Sequence, residues 1–232
     1  MIQLNNLTKV YGNQTVLDIS DLKITKGESF GLVGNNGAGK TTMFRCILDL
    51  IRPTSGTVLS KGIDVAKKEN WKHYTGSYLD DGFLIDFLTP EEYFQFVADV
   101  YGLSDGDVVA FYSEFEDFFN KEVLGKKKLI RDLSSGNRQK VGIAAALISK
   151  PEIIILDEPF NSLDPTTQIR LKNLLKTLCK EKEITLLISS HDLNHITEVC
   201  DRIVVLHEGK IVHDLVTNQD TLKVLEEYFA VH

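Results

Sequence analysis

The residues Gly34-Asn35-Asn36-Gly37-Ala38-Gly39-Lys40-Thr41 fit the pattern G-x-x-x-x-G-K-[ST]. Glycines at this spacing let backbone N–H groups turn toward one point and approach phosphate oxygens closely. A helix start after them adds a positive dipole end. Lys40 is then expected to reach β- and γ-phosphates, and the Thr41 hydroxyl to ligate Mg²⁺. A second candidate is Asp157-Glu158, which closes the apolar run Ile153-Ile154-Ile155-Leu156. The first carboxylate can hold a metal's water shell, and the second can orient or deprotonate an attacking water. Acidic residues often mark strand ends, so this pair takes its meaning from the phosphate loop.

Other chemistry finds little support. Cys46, Cys179 and Cys200 are widely spaced, with no C-x-x-C pattern, and suggest neither a zinc site nor a disulfide framework. Cys46 and Cys179 fall in apolar helical patterns and read as small core residues. The histidines His73, His195, His207, His213 and His232 belong to no constellation, and Lys126-Lys127-Lys128 reads as a solvated loop.

The elements that must position these residues follow from periodicity. Residues 2 to 33 read as strands, ending in the apolar run Phe30-Gly31-Leu32-Val33 ahead of the glycine loop. Met43, Phe44, Ile47, Leu48 and Ile51 then follow helical spacing, and Pro53 to Gly56 read as a turn. Thr89-Pro90-Glu91-Glu92 is a capping box with proline at the first helical position. From about 88 to 150 the chain reads as a helical insert, whose many aromatics are expected mostly in its core. Ile153 to Leu156, Ile184 to Ser190 and Ile203 to Leu206 read as buried strands of a parallel sheet. Asp164-Pro165 caps an intervening helix, and a short amphipathic helix closes the chain at about 218–230. The order is an α/β core interrupted by a helical insert.

Composition sets the outer limits. With 232 residues the chain can bury a substantial core, and 43% hydrophobic with 25% charged residues excludes disordered and collagenous classes. A net charge of −7 gives no global attraction for nucleic acid, and none is expected as a partner. The near-apolar run from Val141 to Ile148 is far short of the roughly 20 residues needed to cross a bilayer. With no secretory signal visible at Met1-Ile2-Gln3-Leu4-Asn5, a cytoplasmic location is expected.

These motifs, in this order, resemble those of the nucleotide-binding subunit of an ABC (ATP-binding cassette) transporter. Leu133-Ser134-Ser135-Gly136-Asn137-Arg138-Gln139 is similar to the family's LSGGQ signature. Asn161-Ser162-Leu163-Asp164 resembles its D-loop, and His191 its switch histidine. Tyr11 resembles the aromatic that stacks on adenine, and Thr42 extends the ATP-binding loop. The likeness runs from about residue 2 to about 215. It departs at Ser135, where the family has glycine, at Asn137, where it has Gln, and at Asp80, where the loop joining core to insert usually carries Gln.

The resemblance implies a single domain over 1–232. It would have a P-loop NTPase core with a mostly parallel central sheet, an N-terminal antiparallel β part and an inserted α-helical subdomain. It implies ATP and Mg²⁺ as cofactors, with Thr41, Asp157 and Asp80 at the metal and Glu158 and His191 as catalytic residues. Two subunits, alike or different, would pair so that the Ser134–Asn137 turn of one closes on ATP held by the other. Separate transmembrane permease subunits would be the partners, with the chain peripheral on the inner face of the cell membrane. The stretch from Leu88-Thr89-Pro90 to Tyr101-Gly102-Leu103 resembles exporter subunits more than importers. The alternative is a soluble ABC ATPase of cytosolic assembly, of the iron–sulfur scaffold type.

Overall fold

The computed structural model describes residues 1–231; His232, the last of the histidines above, lies outside the described residues. Strands β1 (Ile2–Tyr11), β2 (Gln14–Ile24), β4 (Ser55–Ser60) and β5 (Ile63–Asp64) form an antiparallel sheet in the order β2-β1-β4-β5. The second sheet joins β3 (Ser29–Val33), β6 (Thr75–Tyr78), β7 (Ile153–Asp157), β8 (Thr185–Ser190), β9 (Arg202–His207) and β10 (Lys210–Val216) in the order β10-β9-β3-β8-β7-β6. All its pairs are parallel except β9 with β10.

Every residue of β3, β7 and β8 is buried because both faces of the sheet are covered. Phe30, Leu32, Ile155, Leu187 and Val204 face the antiparallel sheet and α1 (Lys40–Ile47). Their neighbours Ile154, Leu156, Leu186, Ile188 and Ile203 face the other way. There they pack with α6 (Pro165–Lys182), α7 (Leu193–Val199), α8 (Thr221–Phe229) and the helices between β6 and β7.

Those helices are α2 (Pro90–Val100), α3 (Asp105–Glu114), α4 (Glu116–Phe119) and α5 (Ser135–Leu147). Thr89 and Glu92 form a reciprocal capping box at α2, and Ser104 and Asp107 repeat it at α3. Phe94, Phe111, Phe115, Phe118 and Phe119 are buried in one cluster, with Phe94 5.2 Å from Phe111 and 5.6 Å from Phe119. Phe96 instead faces solvent.

The structure departs from the periodicity reading in three places. Residues 120 to 134 are a loop with one 3-10 turn at Ile130–Asp132; Lys126–Lys128 read as a loop and lie in it, while the rest of the stretch departs from the helical reading of 88 to 150. Asn120, Lys121 and Lys127 there take φ of 52, 59 and 51°, and a left-handed residue breaks the helical ladder. Helix α1 stops at Ile47, short of Ile51, where Asp49 turns left-handed at φ 51°. Strand β10 follows a hairpin at Glu208-Gly209, and its alternating exposure is that of an edge strand, a weaker signal than a buried run.

Phe94→Ala would empty the centre of the aromatic cluster. It should destabilise the protein by about 3–5 kcal/mol, read as a lowered urea midpoint.

Candidate active site

The parallel register puts the C-terminal ends of β3, β8, β7 and β6 side by side: Val33 pairs with Ser190, Asp157 with Ser189, and Tyr78 with Leu156. The glycine loop leaves β3 at this edge and returns as α1. Gly39 adopts φ 108°, and a Cβ there would sit 2.8 Å from the Val16 carbonyl oxygen, so only glycine lets the loop lie this close to β2. Lys40 is buried, donates from Nζ to the Gly34 carbonyl at 2.6 Å, and lies 3.6 Å from Glu158 Oε1. Asn36, Gly37, Ala38, Gly39, Lys40, Thr41 and Thr42 line a cavity of about 250 Å³ with Val16 and Glu158. Asn35 closes the loop's turn, its carbonyl accepting from Ala38 N–H at 3.0 Å.

Thr41 Oγ1 donates to Asp157 Oδ2 at 2.5 Å, and Ser189 Oγ donates to the other oxygen of that carboxylate. Burial pushes the Asp157 carboxyl above its ordinary range, and the hydrogen bonds from Ser189 and Thr41 oppose that shift. Glu158 has left-handed backbone, φ 48°, a conformation that costs about 1–2 kcal/mol outside glycine. Its N–H donates to the Ser189 hydroxyl at 3.0 Å and lies 3.2 Å from the Ser189 carbonyl, which holds the strained turn. The side chain is thereby aimed between Lys40 and His191, with Glu158 Oε2 2.9 Å from His191 Nδ1. Backbone strain kept at one position by its surroundings is common where geometry matters for chemistry.

Two contributors escaped sequence reading. Ser189 bonds to Asp157 and Glu158, and Gln139 donates to the Glu158 carbonyl at 3.2 Å. For Ser189 only its place two residues ahead of His191 hinted at a role.

The remaining expected residues lie outside the cavity's lining. Tyr11 is half exposed at the end of β1, with the Lys9 ammonium 4.8 Å from its ring centroid. Ser134 caps α5, accepting from Asn137 N–H at 3.3 Å, with Ser135 and Gly136 in the first turn. Asp164 caps α6, and the Thr167 hydroxyl and N–H hold its carboxyl below the usual range. Asp80 pairs through Oδ2 with Arg45 at 3.4 Å and accepts the Gly82 N–H at 2.8 Å on Oδ1. Burial pushes the Cys46 thiol up to about 11 and the Cys179 thiol up to about 12. Such thiols stay protonated near neutrality.

Comparison with known proteins gives this geometry its family. The ABC transporter family model matches residues 17–161, the stretch from β2 to just past Glu158. The chain belongs to the ABC transporter family. A bacitracin transport ATP-binding protein of Bacillus licheniformis is 36% identical over 217 residues, covering 93% of this chain and 69% of that protein. A lantibiotic transport ATP-binding protein of Streptococcus pyogenes is 32% identical, covering 99% of this chain and 96% of that one. A solved dimeric ATP-binding cassette in a post-hydrolysis state with ADP and Pi superposes with a TM-score of 0.84 at 27% identity, over 94% of this chain and 99% of that one. The chain is therefore the ATP-binding, ATP-hydrolysing subunit of an ABC transporter. Its fold is the ABC ATPase fold expected from the motifs. No helix among the described residues is long and apolar enough to cross a membrane.

Ser189→Ala in this ABC ATPase would strip a donor from a buried carboxylate. Stability should fall by about 1–3 kcal/mol in urea unfolding, with a parallel loss of ATPase activity.

Proposed function

We propose that this subunit works as one half of a two-site ATPase that powers export through separate membrane subunits. The observation that carries the reading is Glu158, held in strained backbone at the end of β7 between Lys40 and His191 and next to the Thr41–Asp157 pair.

In this mechanism the loop from Gly34 to Thr42 cradles the ATP phosphates, and Lys40 moves from the Gly34 carbonyl to neutralise the β- and γ-phosphates. The Thr41 hydroxyl and Asp157 carboxylate, touching and both hard oxygen donors, are a donor set that fits Mg²⁺. When bound, Mg²⁺ would supply charge neutralisation to the phosphates. Asp80, with its oxygens on Arg45 and Gly82, would join that shell only on releasing Arg45. Glu158 holds the attacking water in line with the γ-phosphate and accepts its proton, and His191 fixes the opposite side. Tyr11 stacks on the adenine.

Ser134, Ser135, Gly136 and Asn137 lie outside the cavity of their own chain, which supports a head-to-tail pair. Each such turn would then close on ATP held by the other subunit, with Asp164 and its loop at the junction. The mate is a second copy or a related subunit.

A cleft of about 310 Å³ between α1 and the insert, lined by Leu48, Leu50, Trp71, Leu79, Phe83 and Tyr101, supports a docking partner. Leu50 and Phe83 expose about half their surface there. Phe87, also exposed, lies beyond it. An exposed apolar patch of this kind marks an interaction site, here for the cytosolic part of a membrane subunit. That contact would hold the chain on the inner face of the membrane. The relatives named for bacitracin and lantibiotic transport support export of an antibiotic-like compound.

Glu158→Gln keeps the side chain's size and removes its basic oxygen. ATP turnover should drop about 10²–10⁴-fold. ATP affinity should hold or tighten, and Mg-ATP should drive the variant into a dimer on size-exclusion chromatography. Turnover near the wild-type rate would place the base elsewhere. Tyr11→Ala should weaken ATP binding by about 1–3 kcal/mol in a fluorescent-nucleotide titration.

A further inference from the structure

His195 belongs to no constellation in the sequence, yet the fold sets its ring against the turn that carries Glu158. It lies on α7, four residues past His191, with its ring centroid 4.5 Å from that of Phe160 and the two planes at 40°. Phe160 is buried and comes two residues after Glu158, in a turn where the Asn161 N–H donates to the Glu158 carbonyl at 3.2 Å. On the other side, His191 reaches Glu158 Oε2 with its backbone N–H at 3.3 Å and with Nδ1 at 2.9 Å. Glu158, Phe160, His195 and His191 therefore close a ring of contacts that contains the Glu158–His191 hydrogen bond.

We infer that His195 is a positioning residue for hydrolysis, whose ring, stacked on Phe160, sets the angle at which α7 presents His191 to Glu158. The inference rests on the reading above, in which Glu158 is the base and His191 its partner. His195 itself is outside the lining of the phosphate-loop cavity, so it acts through its neighbours.

The ring works by shape and not through its nitrogens. Nδ1 is buried with no hydrogen-bond partner among the described residues, and Nε2 lies 3.6 Å from Asp192 Oδ2, beyond hydrogen-bonding distance. An orphaned buried nitrogen is a cost, so contact with Phe160 is what holds the ring in place. A centroid separation of 4.5 Å is at the close end of the favourable range for aromatic pairs. Phe160 is itself fixed, its carbonyl accepting from Gln168 Nε2 of α6 at 3.1 Å. The segment from His191 to His195 is stiff enough to carry the contact. Asp192 caps α7 through the Asn194 N–H at 2.9 Å, and its own N–H donates to Ser190 Oγ at 3.0 Å. Ile196 packs so close to β3 that a Cβ on Gly31 would lie 2.6 Å from its Cγ2, and Lys172 of α6 holds Glu198 at 2.8 Å. Those contacts pin α7 to β3 and α6, and the stack ties it to the turn of Glu158.

The test uses the full chain with His195→Ala, His195→Phe and His191→Ala, and with His195→Ala and His191→Ala combined. His195→Ala should lower kcat about three- to tenfold, the order that one aromatic pair supports. Its ATP affinity, by fluorescent-nucleotide titration, should stay within about twofold of wild type. His195→Phe keeps a ring without the nitrogens and should recover most of the lost kcat. In the His191→Ala background, adding His195→Ala should cost no further turnover, followed as released radiolabelled phosphate, because nothing is left to position. A further loss there as large as in the wild-type background marks a general packing role and overturns the inference. So does a His195→Ala protein with wild-type kcat, one whose ATP affinity falls as far as its kcat, or a His195→Phe protein as slow as His195→Ala. These outcomes leave the reading of Glu158 and His191 standing. Wild-type turnover in His191→Ala overturns that reading for His191, and the inference with it.

Discussion

The Asp157 carboxyl lies at the buried end of β7, only 6% exposed, and much of this fold can be understood as satisfying its oxygens. An unpaired carboxylate there would cost several kcal/mol. Two hydroxyls satisfy it, Thr41 from the first turn of α1 and Ser189 from β8. Those bonds span 116 and 32 residues of sequence, so they exist only if β3, β7 and β8 end at one level. The parallel register delivers that alignment. Once Asp157 is held, Glu158 follows it into a left-handed turn, because Ser189 grips both neighbours at once.

The two faces of the central sheet then divide the work. One face packs on α1 and the antiparallel sheet, so the phosphate loop hangs from a rigid support. The other carries the insert, whose aromatic residues around Phe94 and Phe111 join the same core as Ile154 and Leu156. The Asp80–Gly82 turn leads into the insert, and the loop from 120 to 134 lies within it, between α4 and α5.

The electrostatics follow the same division. At the cavity Glu158 lies between two partners, 3.6 Å from Lys40 Nζ on one oxygen and 2.9 Å from His191 Nδ1 on the other. Elsewhere the ion pairs mostly lie on the surface and contribute little each. Lys140 is an exception, buried on α5 and bonded at 2.6 Å to Glu122 in the loop before the signature turn. The insert's end is therefore anchored to the same helix that presents Ser134.

Much of this was legible in the sequence, and the legible parts share a property. The glycine loop, the Thr89–Glu92 capping box, the Asp164 cap and the run Ile153 to Leu156 are each made by residues adjacent or a turn apart. Local sterics, caps and hydrophobic period act over that range, so residue type and spacing determine them. The loop from 120 to 134 and the edge strand β10 were harder, since left-handed residues such as Asn120 and half-exposed alternation leave faint local signals. What Asp80 would touch, that Ser189 would hold both Asp157 and Glu158, and that Gln139 would reach the Glu158 carbonyl belonged to the tertiary structure alone. Those contacts depend on which strands become neighbours and at what register. Burial of the whole core sets that, and no short stretch of residues encodes it.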